Sequence, residues 1–167
     1  MSTLHVVVIA TPGFSPFHFS VPSMVFDKAM PEPGLFSVDI CAEQPGVVAS
    51  DIGISINVEH GLERLDTADI IVVPFWEHPE TRPDAALLEA LRSAWQRGAE
   101  VVGLCLGAYV LAYAGLLNNR RASTHWEFER DFAARFPEVR LDSNALYTCD
   151  DRLITSAGTA AGIDCCL

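Results

Sequence analysis

Glu100-Val101-Val102-Gly103-Leu104-Cys105-Leu106-Gly107 reads as an apolar strand running into a Gly-x-Cys-x-Gly turn, and Ala108–Ala114 continues at once as a helical stretch. A turn this sharp forces its central side chain into a strained, outward-pointing backbone state. The flanking glycines permit it because they bring no Cβ into the crowded space. The pattern predicts Cys105 held at the mouth of a sheet and at a helix N-terminus, where the dipole and free amides favour a thiolate. Twenty positions on, Thr124-His125-Trp126 supplies an imidazole able to return to that sulfur.

Working outward from the turn, Leu4–Ala10 and Ala68–Phe75 are near-continuous runs rich in β-branched residues, as in strands covered on both faces. Leu35–Ala42 alternates apolar and polar residues, and Val47–Ala49 with Ile52–Val58 looks like a short hairpin around Ser50-Asp51. A broadly helical pattern runs from about Pro16 to Met30, with Pro22 tolerable only near the first turn. Arg82-Pro83-Asp84 opens a helix that carries Leu87, Leu88, Leu91 and Trp95 on one face and ends at Gly98. Glu127–Phe136 is a further helix, stopped by Pro137. Val139–Leu141, Ala145–Thr148 and Leu153–Ser156 are strands, and Gly158 leads into a helical pattern over Thr159–Leu167. Strands alternating with helices predict a layered α/β fold with a mostly parallel sheet and ligands at the carboxyl ends of the strands. Thr11–His18, Pro74–His78 and Cys105–Gly107 would converge there, joined by His125 from a longer loop.

A chain of 167 residues suits one domain able to bury about two-thirds of its unfolded surface. Half the residues are hydrophobic and 20% are charged, but no apolar run approaches the ~20 residues a membrane span requires. The N-terminus lacks a basic segment and a small-residue cleavage site, so a cytoplasmic address is expected. Five cysteines without C-x-x-C spacing point to reduced thiols. The net charge of −11, with basic residues scattered apart from Arg120-Arg121, leaves no basic stripe for nucleic acid and suits solubility.

No phosphate- or dinucleotide-binding glycine motif and no H-E-x-x-H occurs, so no cofactor is expected. Glu59-His60 and Glu77-His78 are adjacent pairs that diverge on a regular element, so no metal site is expected either. Gly158-x-x-x-Gly162 suits close helix–sheet packing. His125 also fits a plain hydrogen-bonded histidine beside an aromatic, and Trp76 and Trp126 also fit core or dimer packing.

Four blocks together resemble the ThiJ/PfpI family, of the class I glutamine amidotransferase-like fold: Gly103–Ala112, Ala114–Leu117, Arg120–Trp126 and Thr155–Asp164. The similarity runs over essentially the whole chain. Within that family, the Thr124-His125-Trp126 and Thr155–Asp164 blocks look most like the N-terminal sensor domains of AraC-type transcriptional regulators. The resemblance implies a flavodoxin-like three-layer sandwich with a strand–Cys–helix elbow, a homodimer, and a helix-turn-helix domain downstream. DNA would be reached only through that domain. Ala160–Leu167 stops inside a helical pattern without a cap, which predicts a single domain over 1–167 that is truncated within its last helix.

Catalytic members of the family pair the cysteine with a histidine and with an acid on the first helix. In the matching segment, Ser15–Pro22, His18 stands in the acid's place. They also use a glycine to supply an oxyanion-binding amide, where this chain has Pro74-Phe75-Trp76. These changes favour a sensor in which His18, Phe75, Trp76, Cys105, Leu106, His125 and Trp126 line a site for a small metabolite. Regulators of this kind often sense nitrogen-containing molecules, and Trp76 and Trp126 would suit an amine if both faced the pocket. Two alternatives remain. One is a cysteine-dependent hydrolase or hydratase in which Cys105 attacks, His125 or His18 moves the proton, and amides near Phe75 and Leu106 stabilise the charge. The other is a redox sensor in which Cys105 is an accessible, low-pKa thiolate.

Overall fold

The computed structural model describes residues 2–28, 32–158 and 161–167. The first half contains β1 (Leu4–Ile9), α1 (Pro16–Ser23) running into a π-helical turn at Met24–Lys28, β2 (Phe36–Cys41), β3 (Gly46–Ala49), β4 (Ser55–Val58) and β5 (Ile70–Val73). Then come α2 (Ala85–Arg97), β6 (Glu100–Gly103), α3 (Ala108–Tyr113), β7 (Arg121–Ala122) and α4 (Glu129–Arg135). The chain continues through β8 (Arg140–Leu141), β9 (Tyr147–Asp150), β10 (Leu153–Ser156) and α5 (Ala161–Cys166).

Six strands form one sheet in the order β2-β1-β5-β6-β10-β9, parallel except for β9, which runs antiparallel to β10. The β-branched runs occupy its centre because both faces are covered. Val7, Ile9, Ile71, Val73 and Val101 point one way, against Leu87, Leu88 and Leu91 of α2 and Tyr109 and Leu111 of α3. Val6, Val8, Val72 and Val102 point the other way, against Val21, Val25 and Cys166. That alternation makes the three-layer α/β sandwich, and each fully buried Val or Leu contributes on the order of 2 kcal/mol. After β1 the chain goes to β2 on one side of it and returns to β5 on the other. The strand order therefore reverses at β1/β5, which opens a crevice at the carboxyl ends.

Several local outcomes differ from the sequence expectation. Pro22 is buried beyond the first turn of α1, not within it. It has no N–H to offer the His18 carbonyl, and the helical ladder resumes as the wider π turn at Met24–Lys28. Ala29 and Met30, included in the expected helix, lie outside the described residues, as do Thr159 and Ala160. The strand expected at Ala145–Thr148 is β9, displaced to Tyr147–Asp150. Its register is set by a two-residue hairpin turn at Asp151 and Arg152, whose φ values of 52° and 64° match the twist of the strands. The hairpin pair is present as β3 and β4. Gly98 ends α2 at φ 119°, in the left-handed region that favours glycine. No helix of the described residues is long and apolar enough to cross a membrane.

Candidate functional site

Leu104 leaves β6 in extended geometry, Cys105 turns to φ 53°, and a 3₁₀ turn over Cys105–Gly107 delivers the chain into α3. A residue with a Cβ held at positive φ stores roughly 1–3 kcal/mol of strain, and hydrogen bonds from several directions hold it there. The Leu104 amide donates to the Val73 carbonyl (3.0 Å), the Gly107 amide to the Leu104 carbonyl (2.7 Å), and the Cys105 amide to Ser156 Oγ (3.2 Å). Thr124 Oγ1 donates to the Cys105 carbonyl at 3.1 Å, which ties the elbow to the loop that carries His125. Gly107 packs directly over β5, where a Cβ would run into the Val73 carbonyl.

The sulfur at this elbow is closed in. Cys105 is 2% exposed, and burial pushes its thiol up to about 11, opposed only by the backbone hydrogen bond from Leu106. The sequence expectation of a favoured, accessible thiolate is therefore corrected: α3 spans only Ala108–Tyr113, and desolvation in the core outweighs its dipole. The redox-sensor alternative presupposed that accessible thiolate.

His18 lies on α1 and is 6% exposed. Its Nδ1 is 2.8 Å from Ser15 Oγ, its ring stacks on Phe75 with centroids 5.5 Å apart, and its buried Nε2 has no hydrogen-bond partner among the described residues. Burial, reinforced by His125, lowers its pKa and keeps the ring neutral. His125 is half-buried. Its Nδ1 accepts from the Glu127 amide (3.2 Å), which puts the proton of the neutral ring on Nε2, and the ring stacks on Trp126. Among the described residues, no hydrogen bond joins Cys105 Sγ to His18 or to His125.

The two tryptophans do not meet. Trp76 Nε1 donates to the Thr81 carbonyl at 2.9 Å, and its ring lines a hollow of about 500 Å³ formed by 10–12, 42–44, 47–49 and 81–84. Trp126, 69% exposed, lines another hollow of about 310 Å³ with residues of 143–146. The aromatic wall envisaged from sequence is not formed, because the loops after β5 and β7 aim their tryptophans into different spaces. His18, Cys105 and His125 border neither hollow.

The larger hollow also contains charged residues that the sequence reading passed over. Glu43 follows β2 and Asp84 precedes α2; both line the hollow, and burial together with the neighbouring Asp84 carboxyl pushes Glu43 up to about 7. The available signal was positional: Glu43 lies just past the end of β2, and Asp84 is the N-cap residue of α2. Among the described residues no cluster of three or more His, Cys, Asp or Glu side chains is arranged to hold a metal ion.

The sequence profile of the DJ-1/PfpI family matches residues 4–167. The HTH-type transcriptional regulator CdhR of Pseudomonas aeruginosa is 34% identical over 78% of this chain and 38% of its own length. An isonitrile hydratase of Pseudomonas putida is 30% identical over 70% of this chain and 50% of its own. The chain thus spans half or less of these curated relatives. An AraC family transcriptional regulator from Pseudomonas putida superposes with a TM-score of 0.81 at 24% identity, covering 98% of this chain and 88% of that one. DJ-1beta of Drosophila melanogaster superposes at 0.82 with 19% identity, covering 99% and 87%. At those identities the two structures establish the shared fold.

Proposed function

This chain belongs to the DJ-1/PfpI family, and from that premise we propose that it is the ligand-sensing domain of an AraC-type transcriptional regulator. In this reading it is a cytoplasmic domain that forms a homodimer and binds a small metabolite at the carboxyl ends of its parallel strands. Its occupancy biases a DNA-binding domain outside these 167 residues. The observation that carries the proposal is the state of Cys105: the elbow is intact, but the thiol is buried, its pKa is raised, and among the described residues no hydrogen bond joins it to a base. A nucleophile needs a depressed pKa or an adjacent base. Cys105 has neither, and the neutral His18 stands where catalytic relatives place an acid. The site then serves recognition, with His18, Phe75, Cys105, Leu106 and His125 as its floor, Trp76 at its edge, and Trp126 stacked on His125. The regulators among the relatives support this reading.

The strained elbow, with the Leu106 amide facing the sulfur, also favours a hydrolase or hydratase working through Cys105 and His125. One experiment separates the two. The purified protein is offered a panel of amides, isonitriles and glyoxals, and both turnover and saturable thermal stabilisation are measured. Sensing predicts no turnover; turnover lost in Cys105→Ala overturns it. Reporter expression driven by the full-length protein should respond to whichever metabolite stabilises this domain.

A further inference from the structure

Away from the elbow and the hollows, three thiols gather where the last helix crosses the edge of the sheet. Cys149 on β9 stands directly opposite Ile154 of β10 in the antiparallel register, so the two side chains share one face with Cβ atoms about 5 Å apart. That face is the one α5 covers. Ile154, Cys165 and Cys166 pack on the same apolar cluster, with Val6, Val8, Val72 and Val102, and α5 lies against both β9 and β10. The helix starts beside the carboxyl end of β10, where Ala161 shares a hollow with Ala157 and Gly158. Four helical residues and two strand residues each advance about 6 Å, which brings the turn of Cys165 level with Ile154 and hence with Cys149. Cys149 is exposed, Cys165 half-buried and Cys166 buried. Burial, then the Cys166 and Cys149 thiols, push Cys165 up to about 12, in keeping with sulfurs held close together. Cys165 and Cys166 are consecutive on a helix, so their side chains diverge.

We infer that Cys149 and Cys165 are a thiol–disulfide pair, oxidised by glutathione disulfide, whose bond fastens the last helix to the edge strand. Cys149 reacts first because it is the exposed member of the three. Its thiolate attacks one sulfur of glutathione disulfide, the disulfide of the oxidant breaks, and one glutathione thiolate leaves. The Cys165 thiolate then attacks the Cys149 sulfur, the bond to glutathione breaks, and a second glutathione leaves. Two protein thiols are oxidised, one small disulfide is reduced, and the two thiol protons end on the two glutathiones. Excess reduced glutathione runs the same steps backwards. The bond closes a loop through the β9–β10 hairpin and holds α5 over the sheet edge. This pair is separate from Cys105, which burial keeps out of reach, and the inference stands whether or not the chain is a sensor.

The test incubates the purified chain with glutathione disulfide in mildly alkaline buffer, blocks remaining thiols with iodoacetamide in denaturant, and maps tryptic peptides without reduction. Cleavage after Arg140 and Arg152 puts the two cysteines on separate peptides, Leu141–Arg152 and Leu153–Leu167. A link then shows as a joined pair that dithiothreitol separates, and its fragment ions distinguish Cys165 from Cys166 without any variant. The expected main product is the Cys149–Cys165 link, formed equally by Cys166→Ser. Cys165→Ser should stop at a glutathione adduct on Cys149, and Cys149→Ser should leave Cys165 and Cys166 free. The oxidised parent should unfold at a higher temperature than the reduced one, because the cross-link restricts the unfolded chain. A parent that stays unmodified, that stops at the glutathione adduct, or that links two copies through Cys149 overturns the pairing. So does a link carried by Cys166.

Discussion

Cys105 illustrates how one backbone angle and one environment pull in opposite directions. Its φ of 53° presents the side chain as a nucleophile elbow would, but the core that closes over it raises the thiol from 9.0 to about 11. At a given pH its thiolate fraction is then about a hundredfold below that of an ordinary thiol. Brief iodoacetamide treatment near neutral pH, read by peptide mass, should therefore label the exposed Cys149 and leave Cys105 unmodified until the protein is unfolded. Prompt labelling of Cys105 in the folded protein would contradict the closed site. The elbow also depends on Gly107, because a Cβ there would drive into the carbonyl of Val73, which belongs to rigid sheet backbone. Gly107→Ala should cost about 3 kcal/mol or more in urea unfolding. Gly13 gives the contrast: a Cβ there meets the end of the Glu77 side chain, which can swing away. The cost of Gly13→Ala should then be only the left-handed strain of about 1–2 kcal/mol.

At the level of elements, helix ends and strand pairings were legible from sequence to the extent that their causes are local. The end of α2 is set by Gly98 at φ 119° with open space around it, so Gly98→Ala adds backbone strain and no clash. A loss of about 1 kcal/mol in chemical unfolding is expected, with little change in the denaturant slope. The elbow at Cys105 was legible for the same reason, since its glycine spacing and the adjoining apolar run lie within a few residues. β1 and β5 were legible because continuous β-branched runs suit only strands buried on both faces. The displacement of β9 was not, because its register is fixed by a turn at Asp151-Arg152 that lacks the usual Asn-Gly or Asp-Gly signal. β7 was hidden as well: it is two residues long, and its partner β8 lies beyond the intervening helix α4. The directions of Trp76 and Trp126, and the meeting of Glu43 with Asp84, depend on loops brought together by the sheet order. No local pattern encodes them.

Across the whole molecule, two titrating groups at the carboxyl ends of the strands oppose each other over the same pH range. Burial and Asp84 raise Glu43 from 4.5 to about 7, so between those values the folded chain binds more protons at this group than the unfolded chain. That contribution is fully present below pH 4.5 and is lost as pH rises through 7. Burial, with His125, lowers His18 below 6.5, so there the unfolded chain binds the extra proton. Its contribution is present above pH 6.5 and is lost as pH falls through the lowered value. The parent protein should consequently show a shallower dependence of stability on pH just below 6.5, where the two slopes have opposite sign, than either single-site variant. Each variant should expose the other slope. Glu43→Gln leaves His18 in control, so stability should rise with pH across this window, and at pH 8 the variant should match or exceed the parent because an unfavourable carboxylate contact is gone. His18→Gln, which can keep a hydrogen bond to Ser15, leaves Glu43 in control, so stability should fall as pH rises. Urea unfolding at half-unit pH steps measures both slopes, and slopes of the same sign in the two variants would refute this account of how the carboxyl pair and the buried imidazole are held.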